Sequence, residues 1–250
     1  MNNAIIEKRK IAFEHIRITP EIIRSVATIV DTEVKHIGSH GTHCFYLYSV
    51  DADDDSSYES QAISIFTENI LIEQKIIDKI SMRFHLLDNS KNIEIQFTHI
   101  VDDDDKGENF VQVSGIDSNW VNGVLNRIIE VIDNAEPQPK CHKLIGYGAF
   151  FLAIIFTVLY YRVIHSELTK WNESIAGVFL LTIIVCIAGG FIKLYDYLIE
   201  MYPLVELQTG PNYHQIPVKN RKKITFILVA ILIPLLLGLI YDLGKSYILK

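Results

Sequence analysis

The sequence predicts an α+β N-terminal domain (antiparallel sheet with two main helices), followed by an all-α bundle of three transmembrane helices. Three observations point there. Between residues 10 and 115 short β-patterned runs alternate with turn residues. Two capped, amphipathic helical patterns accompany them. Beyond Leu144 come three apolar stretches, each near the roughly 20 residues needed to cross hydrocarbon.

The first strand is expected from Lys10 to Ile18, where Ile11, Phe13, His15 and Arg17 alternate with Ala12, Glu14, Ile16 and Ile18. Thr19 then caps a helix whose first residue, Pro20, lacks an amide that would have no partner in any case. Its buried stripe is Ile22, Ile23, Val26, Ile29, Val30, Val34 and Ile37, and Gly38 ends it. A second strand covers His43 to Val50, followed by an acidic loop and a short helix around Ala62 to Ile70. Three further strands, Lys75 to Leu87, Asn92 to Val101 and Asn109 to Gly115, are separated by turn residues and form an antiparallel meander. The domain's last helix runs from Ser118 to Asn134 behind an Asp117 cap, with Trp120, Val121, Val124, Leu125, Ile128 and Ile132 on one face. These elements close a domain over residues 1–135, large enough to fold alone.

A Pro-rich juxtamembrane linker, 136–143, leads to spans at about 144–163, 174–194 and 224–242, with a basic loop at 195–223 and a tail at 244–250. Met1 to Pro139 holds 12 Lys+Arg against 24 Asp+Glu, while the remainder holds 11 against 6. An acidic domain repels polyphosphate, which sets nucleic acid aside as a partner. The opening Met1 to Lys10 has no apolar core of a secretory signal. Seven basic residues near the spans (Lys140, Lys143, Lys193, Lys219, Arg221, Lys222, Lys223) lie on the domain's side, against Arg162, Lys170, Lys245 and Lys250 opposite. The expected location is therefore the cell (inner) membrane, multi-pass, with the N-terminal domain cytoplasmic and the C-terminus outside. Cys44, Cys141 and Cys186 give no disulfide framework.

Candidate sites follow from residue chemistry. His36, His40, His43 and Cys44 place four metal-capable donors within nine residues, although their spacing matches no zinc-finger pattern. Asp51, Asp53 and Asp55 imitate the start of a calcium loop, but Ser56 replaces the turning Gly and Ala62 the bidentate Glu. Asp102, Asp103, Asp104 and Asp105 crowd a hairpin tip and suit either a solvated loop or docking of a basic protein partner. Lys219, Arg221, Lys222 and Lys223 suit lipid headgroups. Ala230, Pro234 and Gly238 share one face of the third span, where small residues let helices approach within a chain or in a homo-oligomer.

The spans carry no ionisable group near a midplane, which argues against a pump or secondary transporter. No phosphate loop, nucleophile elbow, zinc-protease helix or kinase signature occurs, so neither an enzyme nor a cofactor is expected. The expectation is a non-enzymatic membrane sensor/effector or regulator whose domain binds a protein partner or small ligand and acts through the spans. In a bacterium this layout suits a stress or phage-defence effector. A passive membrane anchor or assembly factor and a small ion channel are the alternatives.

Overall fold

A computed structural model of the chain describes residues 5–38, 44–68, 70–88, 90–101, 107–137 and 201–211, with isolated positions within 185–197 and 221–226. The protein is α+β, with a six-stranded antiparallel sheet and few helices. The chain divides into two compact units, 1–210 and 211–250. The elements below belong to the first.

Strand β1 (Glu7–Ala12) lies at one edge of the large sheet and β4 (Ser57–Ser60) at the other. Between them come β7 (Phe110–Gly115), β6 (Lys91–Thr98), β5 (Ile77–Leu86) and β3 (Cys44–Ala52), every neighbour antiparallel. Alternation decides which face is covered. Tyr48, Val50, Ile80, Met82, Phe84, Ile93, Ile95, Phe97, Val111 and Val113 are buried on one face. Ser49, Arg83, Glu94, Gln96 and Gln112 project from the other.

Helices α1 (Pro20–Gly38) and α4 (Ser118–Asp133) cover the apolar face and pack on each other. Helix α1 starts and ends where the sequence predicts, and the Ile22 amide reaches the Thr19 hydroxyl. Asp117 caps α4 by accepting from the Asn119 and Trp120 amides. Val121, Val124, Leu125, Ile128 and Ile132 are buried, each worth about 1.5–3 kcal/mol. A cap is worth about 1 kcal/mol, so packing holds α4 in place and the cap sets where it begins. Glu33 of α1 accepts from Trp120 Nε1 at 2.8 Å and Arg127 Nη2 at 2.6 Å, joining the two helices at their rim.

Three expectations need correction. The strand predicted over 10–18 is two strands, because His15 takes φ 59° and turns the chain out of the large sheet after Ala12. The second piece, β2 (Ile16–Ile18), joins a different sheet. The predicted helix over 62–70 is two short ones, α2 (Ser64–Thr67) and α3 (Ile70–Gln74), and part of the acidic loop before it is strand β4. Finally, residues 1–135 do not close the domain: two later strands, β8 (Glu136–Pro137) and β9 (Val205–Leu207), flank β2 in a three-stranded sheet.

The predicted first span lies outside the described residues. Within the second, Val185, Gly189, Gly190, Ile192 and Lys193 are helical, and within the third so is Phe226. Val185, Ile192 and Phe226 are each more than half exposed. Among the described residues no helix is long and apolar enough to cross a membrane.

Candidate functional site

The three-stranded sheet is built where the chain leaves for residues 138–200 and where it returns. Strand β2 is its centre. Strand β8 pairs with it antiparallel, Ile16 opposite Pro137 and Arg17 opposite Glu136. Strand β9 pairs with its other edge in parallel, Ile16 opposite Val205, Arg17 opposite Glu206 and Ile18 opposite Leu207. Because one partner is antiparallel and the other parallel, the chain departs after Pro137 and re-enters before Val205 at the same end, beside Ile16. The two points are two strand spacings apart, about 10 Å. Two packed helices lie about 8–10 Å apart, so the sheet presents its two exits at the spacing of a helical hairpin.

Arg17 ties both flanking strands. Its Nε donates to Glu206 Oε2 at 3.0 Å, and its Nη1 donates to Glu136 Oε2. The environments of the two pairs differ. Glu206 is 1 % exposed and Arg17 17 %, whereas Glu136 is 70 % exposed. Removing one partner of a buried pair costs about 3–5 kcal/mol, while an exposed pair contributes about 0–1 kcal/mol. The guanidinium is therefore anchored to β9, and its contact with β8 is the weaker one.

Residues 203–209 are buried and bonded on several sides. Val205 and Ile100 exchange both backbone hydrogen bonds, at 3.0 and 3.1 Å. The Gln208 amide donates to the Ile18 carbonyl at 2.9 Å, and the Leu207 amide to His99 Nδ1 at 3.4 Å. Thr209 Oγ1 accepts from the Ile77 amide at 2.8 Å, and the Gly210 amide donates to the Ile72 carbonyl at 2.7 Å. Gly210 has φ +83°, and a Cβ there would stand 3.1 Å from both the Ile76 amide nitrogen and its Cγ1. Leu204, Val205 and Leu207 complete the domain's own core. The segment after the second predicted span is thus structural, contributing apolar side chains, a buried acid and backbone pairing.

A second polar group sits by the β3–β4 hairpin. Lys75 Nζ donates to Asp54 Oδ2 at 2.6 Å and to Ser56 Oγ at 2.9 Å, and lies 5.0 Å from the Tyr58 ring centre. Lys75, and secondarily Ser56, hold the Asp54 carboxyl down at about 2. Burial first, then Asp53, push the Asp78 carboxyl above its usual range, with His99 opposing. Asp51, which accepts from Ser57 Oγ, and Asp53 to Asp55 form a tight hairpin tip, with Asp55 at φ 59°.

Of the donors with metal-ligating potential, His36 is exposed in the last turn of α1, and Cys44 is a half-buried free thiol opening β3. His40 and His43 lie outside the described residues, as do Asp102 to Asp105, Ala230, Pro234, Gly238, Lys219 and Lys222. Among the described residues no group of three or more His, Cys, Asp or Glu side chains converges on a metal position. Arg221 and Lys223 are helical, and Lys223 is exposed.

Sequence reading misses Arg17, Glu206, Thr209 and Gly210 as parts of one site. The signal for β9 was present: Leu204, Val205 and Leu207 form an apolar run holding a single acid, within a loop otherwise read for its basic charge. Comparison with family models, with curated proteins and with solved structures finds no match to this chain.

Proposed function

We propose that this protein is a membrane-anchored, non-enzymatic sensor/effector, in which the α+β domain binds a protein partner or small ligand and acts through the hydrophobic segments. The observation that carries this reading is the placement of both ends of residues 138–200 on one strand, tied by one side chain, Arg17. A segment that leaves and returns at the same end of a sheet crosses a bilayer an even number of times. Two spans at about 144–163 and 174–194 meet that condition. Exposed apolar side chains on helical backbone at Val185, Ile192 and Phe226 suit lipid contact.

The mechanical consequence is direct. Strand β2 is continuous with α1 through Thr19, and α1 packs on α4 and on the sheet. A ligand that shifts α1 shifts β2, and with it the distance and tilt of the two exits. The domain is cytoplasmic in this reading, and no cofactor is required.

The test is membrane potential, followed with a voltage-sensitive dye in bacteria overproducing the full-length chain, alongside Arg17→Ala and empty-vector cells at matched membrane levels. Depolarisation by the wild type, altered in Arg17→Ala, is expected. Identical potentials in all three would refute an effector role and leave the anchor reading.

A further inference from the structure

Both edges of the six-stranded sheet are unpaired among the described residues, and they carry opposite charge. Strand β1 reads Glu-Lys-Arg-Lys-Ile-Ala with five of its six residues exposed, and β4 reads Ser-Tyr-Glu-Ser beside the acidic hairpin tip. Like charges on two β1 edges oppose β1–β1 pairing, and acids around β4 oppose β4–β4 pairing. Neither restraint acts on β1 against β4. We infer that copies of this chain assemble side by side, the β1 edge of one domain pairing with the β4 edge of the next. The inference rests on the membrane reading above for the setting in which the copies meet.

Strand direction permits this arrangement. Six strands, each antiparallel to its neighbour, make β1 and β4 run in opposite directions. A second copy set beside the first can therefore lay its β1 antiparallel along the first copy's β4, so that the alternation of strand direction continues.

The faces also match. Ala12 stands opposite Phe110, Phe110 opposite Gln96, Gln96 opposite Ser81, Ser81 opposite Ser49 and Ser49 opposite Glu59. Glu59 therefore shares a face with Ala12, and so with Lys10 and Lys8, two and four residues away. Lys10 is engaged by Glu108 Oε2 at 2.7 Å and by the Phe110 ring. Lys8 is exposed and makes no ion pair among the described residues. Glu59 of one copy opposite Lys8 of the next also brings Tyr58 opposite Arg9 on the other face. That register staggers copies by about four residues, roughly 13 Å over a sheet roughly 29 Å wide.

Paired cysteines test the contact in native membranes, using the full chain with Cys44, Cys141 and Cys186 replaced by Ser and a short thiol-reactive cross-linker. Lys8→Cys alone and Glu59→Cys alone should stay monomeric, the two co-expressed should give dimers, and the double variant should give a ladder. In the otherwise native chain, Glu59→Lys should reduce the detergent-extracted assembly to monomer, and Lys8→Glu added to it should restore the assembly. Cross-linking of Lys8→Cys with itself, or absence of any ladder, overturns the inference. Alkaline extraction of the same membranes reports anchoring separately, so a chain that stays integral without a ladder sinks the assembly and spares the membrane reading.

Discussion

Arg17 and Glu206, 189 residues apart in sequence, meet at 3.0 Å in a contact from which water is almost excluded. The intervening chain includes five of the six strands of the large sheet and both long helices, so the pair forms only when the domain is nearly complete. Arg17→Ala should destabilise the full-length protein by about 3 kcal/mol, because it strips a buried carboxylate of its cation. Replacing both residues with Met should recover most of that loss, since a buried pair exchanged for apolar side chains is often neutral. Thermal unfolding in detergent gives the two values. A single variant as stable as wild type would show that the pair does not hold β9.

Thr209 and Gly210 fix the end of the same segment. Thr209→Val keeps the shape and removes the acceptor of the buried Ile77 amide, which should cost about 1–3 kcal/mol. Gly210→Ala forces a Cβ into positive φ against the Ile76 backbone and should cost about 1–2 kcal/mol or more. Hydrogen exchange across 203–210 should accelerate in both variants while α4 stays protected. Uniform acceleration through α4 would mean that β9 and the helices open as one unit.

The parts of the fold legible in the sequence are those that local chemistry specifies. Thr19 and Pro20 start α1, Asp117 starts α4, and the turn residues Asp88 to Ser90 separate β5 from β6. The illegible parts depend on partners far along the chain. Nothing in the alternation across 10–18 marks His15 as the break, because both halves are strands that belong to different sheets. Strand β4 is polar and borrows its order from β3, as β9 borrows its order from β2. Arg17 looks like one more outward residue of an amphipathic strand until β8 and β9 set two glutamates beside it.

Asp78 gives a pH signature. Burial and the neighbouring Asp53 raise its folded-state pKa, so the native state holds the proton more tightly than the unfolded chain. Its contribution is complete below the unfolded carboxyl's range and is lost as pH rises through the raised native value. Asp78→Asn should therefore stabilise the protein near neutrality, by less than about 1 kcal/mol because solvent screens this exposed side chain, and leave it unchanged in strong acid. Melting temperatures of the two proteins measured from acid to neutral pH should diverge only as pH rises. A gap that persists in strong acid would assign the effect to packing.

If residues 138–200 are an excursion from a continuous domain, they can be replaced without loss of the fold. A chain ending at Pro137 lacks Leu204, Val205 and Leu207, all buried in the native core, and leaves one edge of β2 unpaired. Each fully buried aliphatic side chain is worth about 1.5–3 kcal/mol, so the loss is comparable to the whole stability of many domains. That truncation should aggregate or unfold without cooperativity. Joining Pro137 to Met201 through about six Gly/Ser residues supplies up to about 20 Å of reach for exits about 10 Å apart. The joined chain, ended at Pro211, should be soluble, unfold cooperatively and retain the Arg17–Glu206 contact, detectable as a loss of stability on Arg17→Ala. Should the plain truncation prove equally stable and cooperative, β9 would be an accessory strand, and the coupling of the domain to the hydrophobic segments would pass through β8 alone.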